Sequence, residues 1–362
     1  MKITAFNAIH KKLNAKMVHF AGFEMPIQYP QGIIHEHKVV RESVGVFDVS
    51  HMGEFMVKGK DALAFVQKLT VNDASKLNFG NVQYSAMHRP TNGIVDDLLV
   101  YNLGEGTYML VVNGANIDKD WAWAVETAAG MDVELTNVSD DTHLLAVQGP
   151  KSLATLQKLT ETELGDIEFY NFKLGKLCGV DMILSRTGYT GELGFEIYFH
   201  GDQATADMIW DKVFEAGAEF GIEPVGLGCR DTLRLEKGYC LYGNDIDDTT
   251  NTLEAGLGWI TKLAKGDFNG SDLLKQVKAE GIKRQLVGFV VESDKFIPRH
   301  DYVISKDGNV IGKVTSGNLS PSLNKPIGMG YVAAEFKAPG TKIDIEARGK
   351  KFTAEVIKMP FL

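Results

Sequence analysis

The sequence predicts an α+β protein: a duplicated split-βαβ (ferredoxin-like) portion over residues 1–278, then a compact antiparallel β domain over 284–362. The first observation behind this is an internal match. Val57-Lys-Gly-Lys-Asp-Ala-Leu-Ala-Phe-Val-Gln-Lys-Leu-Thr70 lies over Val147-Gln-Gly-Pro-Lys-Ser-Leu-Ala-Thr-Leu-Gln-Lys-Leu-Thr160 with eight of fourteen positions identical. The second is a change of texture after Lys283, where short alternating runs separated by turns replace the mixed pattern. The third is length, since 362 residues exceed one ordinary core and call for two or three domains of roughly 150 residues each.

In each repeat, near 54–135 and 143–226, an apolar strand precedes a Gly turn and a helix with Leu or Phe at helical spacing follows. Further strands come next, and then a second helix, Asn116 to Ala129 in the first copy and Ala204 to Ala218 in the second. That is the order of a split βαβ unit, met twice. Between the copies' helices, Asn92-Gly93 reads as a turn opening a strand to Tyr101. Arg186 to Tyr198 is a Gly-rich connection running into a strand, and Gly226 to Gly238 a short helix closed by glycine. A mostly polar stretch, Lys278 to Arg284, separates the helix-like Ser271 to Val277 from the tail. There Gln285–Val291, Tyr302–Ser305, Val310–Val314, Ile343–Ala347 and Phe352–Lys358 read as strands of a small barrel or sandwich.

Composition narrows the function classes. Hydrophobic residues at 44% and charged ones at 23% are the balance of a globular chain. A net charge of -9 disfavours a dedicated nucleic-acid binder, which normally shows a basic stripe. No apolar run approaches the ~18 residues of a membrane span, so no membrane role is expected. The N-terminus lacks an apolar signal core, and three cysteines without a C-x-x-C pair exclude a disulfide scaffold and a zinc ribbon. A cytoplasmic location is the default expectation.

Candidate chemistry sits in three segments. Strand alternation puts Ile94, Asp96, Leu98 and Val100 on one side and Val95, Asp97, Leu99 and Tyr101 on the other. Each otherwise apolar side thus receives one carboxylate, which is costly unless bonded. One of the two is a site candidate and the other a group satisfying local donors. Glu196 shares a face with Tyr198, opposite Phe195, Ile197 and Phe199. It is either a solvated outer residue or a carboxylate accepting paired N–H bonds from a planar ligand. Arg230 and Arg234 are i,i+4 on one helix, the spacing of a surface salt-bridge helix. His35-Glu36-His37 and His51 form a weak ligand set, and no metal is expected.

Taken in order, these segments resemble the folate-binding aminomethyltransferase family, the T proteins of the glycine cleavage system. The resemblance rests on Gly22-Phe-Glu-Met-Pro26, Val44 to Phe55 (with Phe47-Asp-Val-Ser-His-Met-Gly-Glu54), the Asp96-Asp97 strand, Val112-Asn113 and Gln148-Gly-Pro150. It continues through Arg186 to Glu196, Arg230 to Glu236, Leu241 to Asp245, Thr315-Ser-Gly317 and Lys358-Met-Pro-Phe361. It implies three lobes, the last an antiparallel β-barrel. It also implies transfer of a one-carbon unit from S-aminomethyl-dihydrolipoyl H protein to tetrahydrofolate, the only cofactor-like ligand expected. By the same resemblance Asp97 matches the catalytic carboxylate and Glu196 the residue holding the pterin's N–H edge. Arg230, Tyr84, Asn113 and Tyr189 match folate contacts, and Met52 matches a residue packing on the pterin. Two relatives remain as alternatives: a folate-dependent demethylase and a folate-binding protein of iron–sulfur assembly. Gly238-Tyr-Cys240-Leu-Tyr-Gly-Asn-Asp245 follows the transferase pattern around its cysteine.

Overall fold

A computed structural model describes residues 1–91 and 93–362; Asn92, half of the expected Asn92-Gly93 turn, lies outside the described residues. The chain divides into two compact units. The first contains residues 1–66, 74–84 and 98–231, and the second 67–73, 85–97 and 232–362.

The duplication is visible element by element. The first copy runs strand Gly53–Lys58, helix Ala62–Leu69, strands Val82–His88, Ile94–Gly104 and Thr107–Val112, helix Ile117–Thr127 and strand Glu134–Asn137. The second runs strand Thr142–Gln148, helix Ser152–Leu156, strands Phe172–Leu177, Val180–Ser185 and Gly194–His200, helix Gln203–Gly217 and strand Glu223–Pro224. Each copy elaborates the split-βαβ order by one strand. The sheet orders correspond too, with one insertion. In the first sheet Gly53–Lys58 lies between Thr107–Val112 and Glu134–Asn137. In the second, Gly45–Asp48 from the preceding segment is inserted between Thr142–Gln148 and the last strand, making six strands against five.

Alternation decides what each face of the second sheet does. Phe195, Ile197 and Phe199, with Leu145 and Val147 of the neighbouring strand, are buried against one helix. That helix, Gln203–Gly217, presents Ala206, Ile209, Trp210 and Val213 at helical spacing. Its N-cap, Asp202, accepts a hydrogen bond from Thr205 N. Each fully buried Phe of this layer contributes about 1.5–3 kcal/mol by leaving water. The opposite face carries Glu196 and Tyr198, beside Ser185 and Ile183. It meets a face of the first sheet bearing Tyr101, which bonds to both Tyr198 and Ser185. A cleft of about 410 Å³ lined by Met56, Met109, Leu103, Ile183 and Tyr198 opens beside that contact.

In the second unit, six strands close a barrel in the order Arg284–Val291, Lys325–Ala333, Asn309–Ser320, Val303–Lys306, Lys342–Ala347 and Lys350–Ile357. Phe289, Ile304, Val314, Ile345 and Val356 fill its core. The strand that the sequence pattern does not suggest is Lys325–Ala333, whose Gly328 and Gly330 weaken any strand signal. Both glycines are there for close approach: a Cβ would stand 2.5 Å from Phe289 Cζ at Gly328 and 2.5 Å from Lys313 O at Gly330. No helix among the described residues is long and apolar enough to cross a membrane.

Candidate functional site

Glu196 is positioned by a loop built around one buried glutamine. Gln148, at the end of its strand, sends Nε2 to Thr187 O (3.1 Å) and accepts Thr190 Oγ1 at Oε1 (2.9 Å). Gly188 and Gly194 lie flat on that amide, where an added Cβ would come within 2.2 and 2.4 Å. The Gly-rich connection is therefore a wrap around Gln148, and it sets Thr187 and Tyr189 at the end of the sheet. Thr187 Oγ1 donates to Glu196 Oε2. Glu196 is half-buried, and desolvation raises its carboxyl pKa against the opposing effects of the Thr187 hydrogen bond and Arg230.

Arg230 comes from helix Leu227–Glu236. Its approach is fixed because Glu36 accepts Gly226 N (2.9 Å) and Tyr29 N (2.5 Å), pinning the residues before the helix. The guanidinium lies 4.8 Å over the Tyr189 ring, a cation–π contact worth about 0.5–2 kcal/mol. Glu196, Arg230 and Tyr189 thus form one cluster in the first unit. Met52 and Asn113 flank the paired residues Gly53 and Val112 at adjacent strand ends. Tyr84 stands half-buried on the edge strand Val82–His88.

Two more buried groups of this cluster lie within Phe47 to Glu54: His51, which the sequence analysis weighs only as a weak metal ligand, and Glu54, which it does not single out. Burial and then the Arg230 charge push the His51 imidazole down to about 3, so it is neutral. The Glu54 carboxyl is raised well above the carboxylate range by burial and then by Glu196, so it holds its proton. Among the described residues neither Glu54 oxygen, nor His51 Nδ1, has a hydrogen-bond partner.

The paired aspartates belong to the second unit. Asp96 is fully buried and Asp97 half-buried, on opposite faces of Ile94–Gly104 as alternation requires. The start of this strand is pinned: Ile94 N donates to Asp247 O (2.9 Å), and Tyr242 OH donates to Ile94 O (2.9 Å). The 241–248 loop is held by Asp245, whose Oδ2 accepts Arg234 Nη1 (2.7 Å), Leu241 N (2.9 Å) and Ser316 Oγ (2.9 Å). Arg234 is only 1% exposed. The surface salt-bridge reading of this helix is therefore wrong for Arg234: it is a buried strut between the helix and the barrel residue Ser316, which it also contacts at 2.9 Å. Asp97 acts electrostatically on Cys240, whose thiol is raised by burial, then by Asp245 and Asp97, with Arg234 opposing.

The GCVT N-terminal domain profile matches residues 6–265, and that of the glycine cleavage T-protein C-terminal barrel domain matches residues 284–362. Curated aminomethyltransferases of Flavobacterium psychrophilum and Bacteroides fragilis are 53% and 54% identical to this chain. Each alignment covers 100% of the chain and 99% of the relative. The crystal structure of glycine cleavage system aminomethyltransferase T from Bartonella henselae superposes with a TM-score of 0.92 at 35% identity, over 100% of this chain and 98% of that one. With the duplicated sheets and the closed barrel in the same order along the chain, these matches make it a member of the glycine cleavage T-protein family, the aminomethyltransferases.

Proposed function

We propose that this aminomethyltransferase of the glycine cleavage system takes an aminomethyl group carried as an S-adduct on the dihydrolipoyl arm of H protein. Its one-carbon unit goes to tetrahydrofolate, giving 5,10-methylenetetrahydrofolate, ammonia and dihydrolipoyl H protein. The setting is cytoplasmic. The observation that carries this reading is the Glu196–Arg230–Tyr189 cluster, a carboxylate beside a cation-backed aromatic ring. A pterin presents an amino group and a ring N–H as adjacent donors, and a carboxylate is the side chain that only accepts. Its flat ring system suits the aromatic face of Tyr189, with Arg230, Met52, Asn113 and Tyr84 as further contacts.

Asp97 is the proposed catalytic carboxylate. As the carbon–sulfur bond gives way, positive charge develops on the methylene–nitrogen unit. A fixed carboxylate favours that charge and can hold a proton of the attacking nitrogen. Fixing such a group requires a rigid support, and the Asp245–Arg234–Ser316 network behind the 241–248 loop supplies one. The test is turnover in the reverse direction, from dihydrolipoyl H protein, methylenetetrahydrofolate and ammonia to the S-aminomethyl adduct and tetrahydrofolate, omitting each reactant in turn. Activity is expected only with the complete set. Formation of methylated folate from a sulfonium donor instead would overturn the assignment.

A further inference from the structure

Four hydroxyls run in series through the space between the two sheets to the Glu196 carboxylate. Tyr101 OH lies 3.0 Å from Tyr198 OH, 3.0 Å from Ser185 Oγ and 3.3 Å from Thr187 Oγ1. Ser185 Oγ lies 2.9 Å from Thr187 Oγ1, and Thr187 Oγ1 donates to Glu196 Oε2. All four hydroxyl residues are at most 3% exposed. Three come from the second copy of the duplication and one, Tyr101, from the first.

Counting protons gives the chain a direction. A carboxylate only accepts, so the single Thr187 proton is committed to it and Thr187 can only accept from Ser185. Ser185 then accepts from Tyr101, and Tyr101 from Tyr198. Each hydroxyl donates once towards the negative charge, and successive bonds of this kind polarise one another. Protonating Glu196 at Oε2 would reverse the last bond and remove the reason for the order. The chain therefore favours the ionised carboxylate against its burial; Glu54, on the facing strand Gly53–Lys58, holds its proton and adds no opposing charge. The other charged or titratable groups facing Glu196 are Arg230 from its helix, Tyr101 from Ile94–Gly104 and Tyr198 on its own strand.

We infer that Tyr101 is a positioning residue for Glu196: as the junction of the buried hydroxyl chain, it keeps this carboxylate charged and in one rotamer, with Oε2 engaged, ready for the donor edge of a folate-type heterocycle. The inference rests on the reading of Glu196 as a pterin acceptor, so the experiment has two arms. The first needs no ligand. In protein labelled with 13C at glutamate carboxyls, and with the Glu196 signal identified by its loss in Glu196→Gln, the carboxyl is titrated in the wild type, Tyr101→Phe, Thr187→Val and Thr187→Ser. Tyr101→Phe and Thr187→Val are expected to raise its apparent pKa by about one unit. Thr187→Ser, which keeps the donor, is expected to leave it in place. The second arm measures tetrahydrofolate binding by calorimetry between about pH 5 and 8, a range that spans carboxyl pKa values raised by burial. Tyr101→Phe is expected to bind about 10-fold more weakly at neutral pH, with affinity lost at a higher pH than in the wild type. An unchanged Glu196 titration in Tyr101→Phe and Thr187→Val overturns the inference. If Tyr101→Phe does not fold, the Thr187 pair decides it. A wild-type chain that binds no tetrahydrofolate overturns the pterin reading instead, and the carboxyl titration still decides whether Tyr101 sets the charge of Glu196.

Discussion

At Glu196 the difference between a carboxylate and an amide is one acceptor and one charge. Glu196→Gln keeps the volume but replaces one acceptor oxygen by a donor, which would face the donor edge of the pterin. We expect tetrahydrofolate binding to weaken by about 1.5–3 kcal/mol, the cost of losing a charge-assisted hydrogen bond. Unchanged affinity by calorimetry would remove Glu196 from the site. Its neighbour Glu54 makes a different prediction, about stability. The folded pKa of Glu54 lies above its unfolded value of 4.5, so between those two values the native state binds a proton that the unfolded state does not. The contribution of this group is therefore greatest below about pH 4.5 and is lost as pH rises towards the folded pKa. Glu54→Gln should flatten the fall in thermal midpoint between mildly acidic and alkaline pH, and an unaltered pH profile would show that Glu54 is not held neutral. Strand alternation leaves Glu196 open between a solvated outer residue and a ligand acceptor, and only the family resemblance favours the second. Tyr101 was not legible, because a tyrosine in an apolar strand looks like ordinary core until its hydroxyl partners are known.

The strand Ile94–Gly104 shows what an element adds to its residues. Alternation separates Asp96 from Asp97, so the two should fail differently. Asp97→Asn preserves shape and removes charge; near-native folding and folate binding are expected, with transfer slowed by about 10²-fold or more. Asp96→Asn should instead lower the thermal midpoint and spare turnover per folded molecule, because the Asp96 side chain is fully buried. A folded but inactive Asp96→Asn beside a normally active Asp97→Asn would exchange their roles. The helix Leu227–Glu236 teaches the complementary lesson. Its i,i+4 arginines were legible, but which of them met solvent was not, since two partners that bury Arg234, Asp245 and Ser316, lie 11 and 82 residues away. The Arg234–Asp245 pair has side chains 2% and 0% exposed, so Asp245→Asn removes a carboxylate charge 2.7 Å from a buried guanidinium. A loss of roughly 3–5 kcal/mol in denaturant unfolding is expected; a loss under about 1 kcal/mol, the scale of a surface pair, would mean the strut is solvated.

For the molecule as a whole, the duplication was legible because both copies keep the same Gly turn and helix face, and local periodicity reports such features directly. The insertion of Gly45–Asp48 into the second sheet was not legible, because pairing between distant segments leaves no local trace: Gly45 lies opposite Gln148. The same holds for the sixth barrel strand, whose glycines answer to neighbours rather than to strand propensity. Partner recognition is likewise a property of the whole surface, and the reaction proposed here draws its donor from a second protein. Only interactions stronger in the transition state raise turnover, yet binding energy from parts of a substrate remote from the reacting carbon can be used to orient it. An H-protein adduct brings such remote surface; free S-aminomethyl dihydrolipoamide brings only the arm. We therefore expect kcat/KM for the free arm to be lower by on the order of 10²-fold or more. Pre-steady-state mixing of each donor with the tetrahydrofolate-loaded enzyme separates docking from transfer. A free arm that binds weakly but transfers at the same rate once bound would place the whole difference in docking. Equal kcat/KM for the two donors would mean that no surface of this chain recognises the carrier, and H protein would then be a vehicle for the arm rather than a partner.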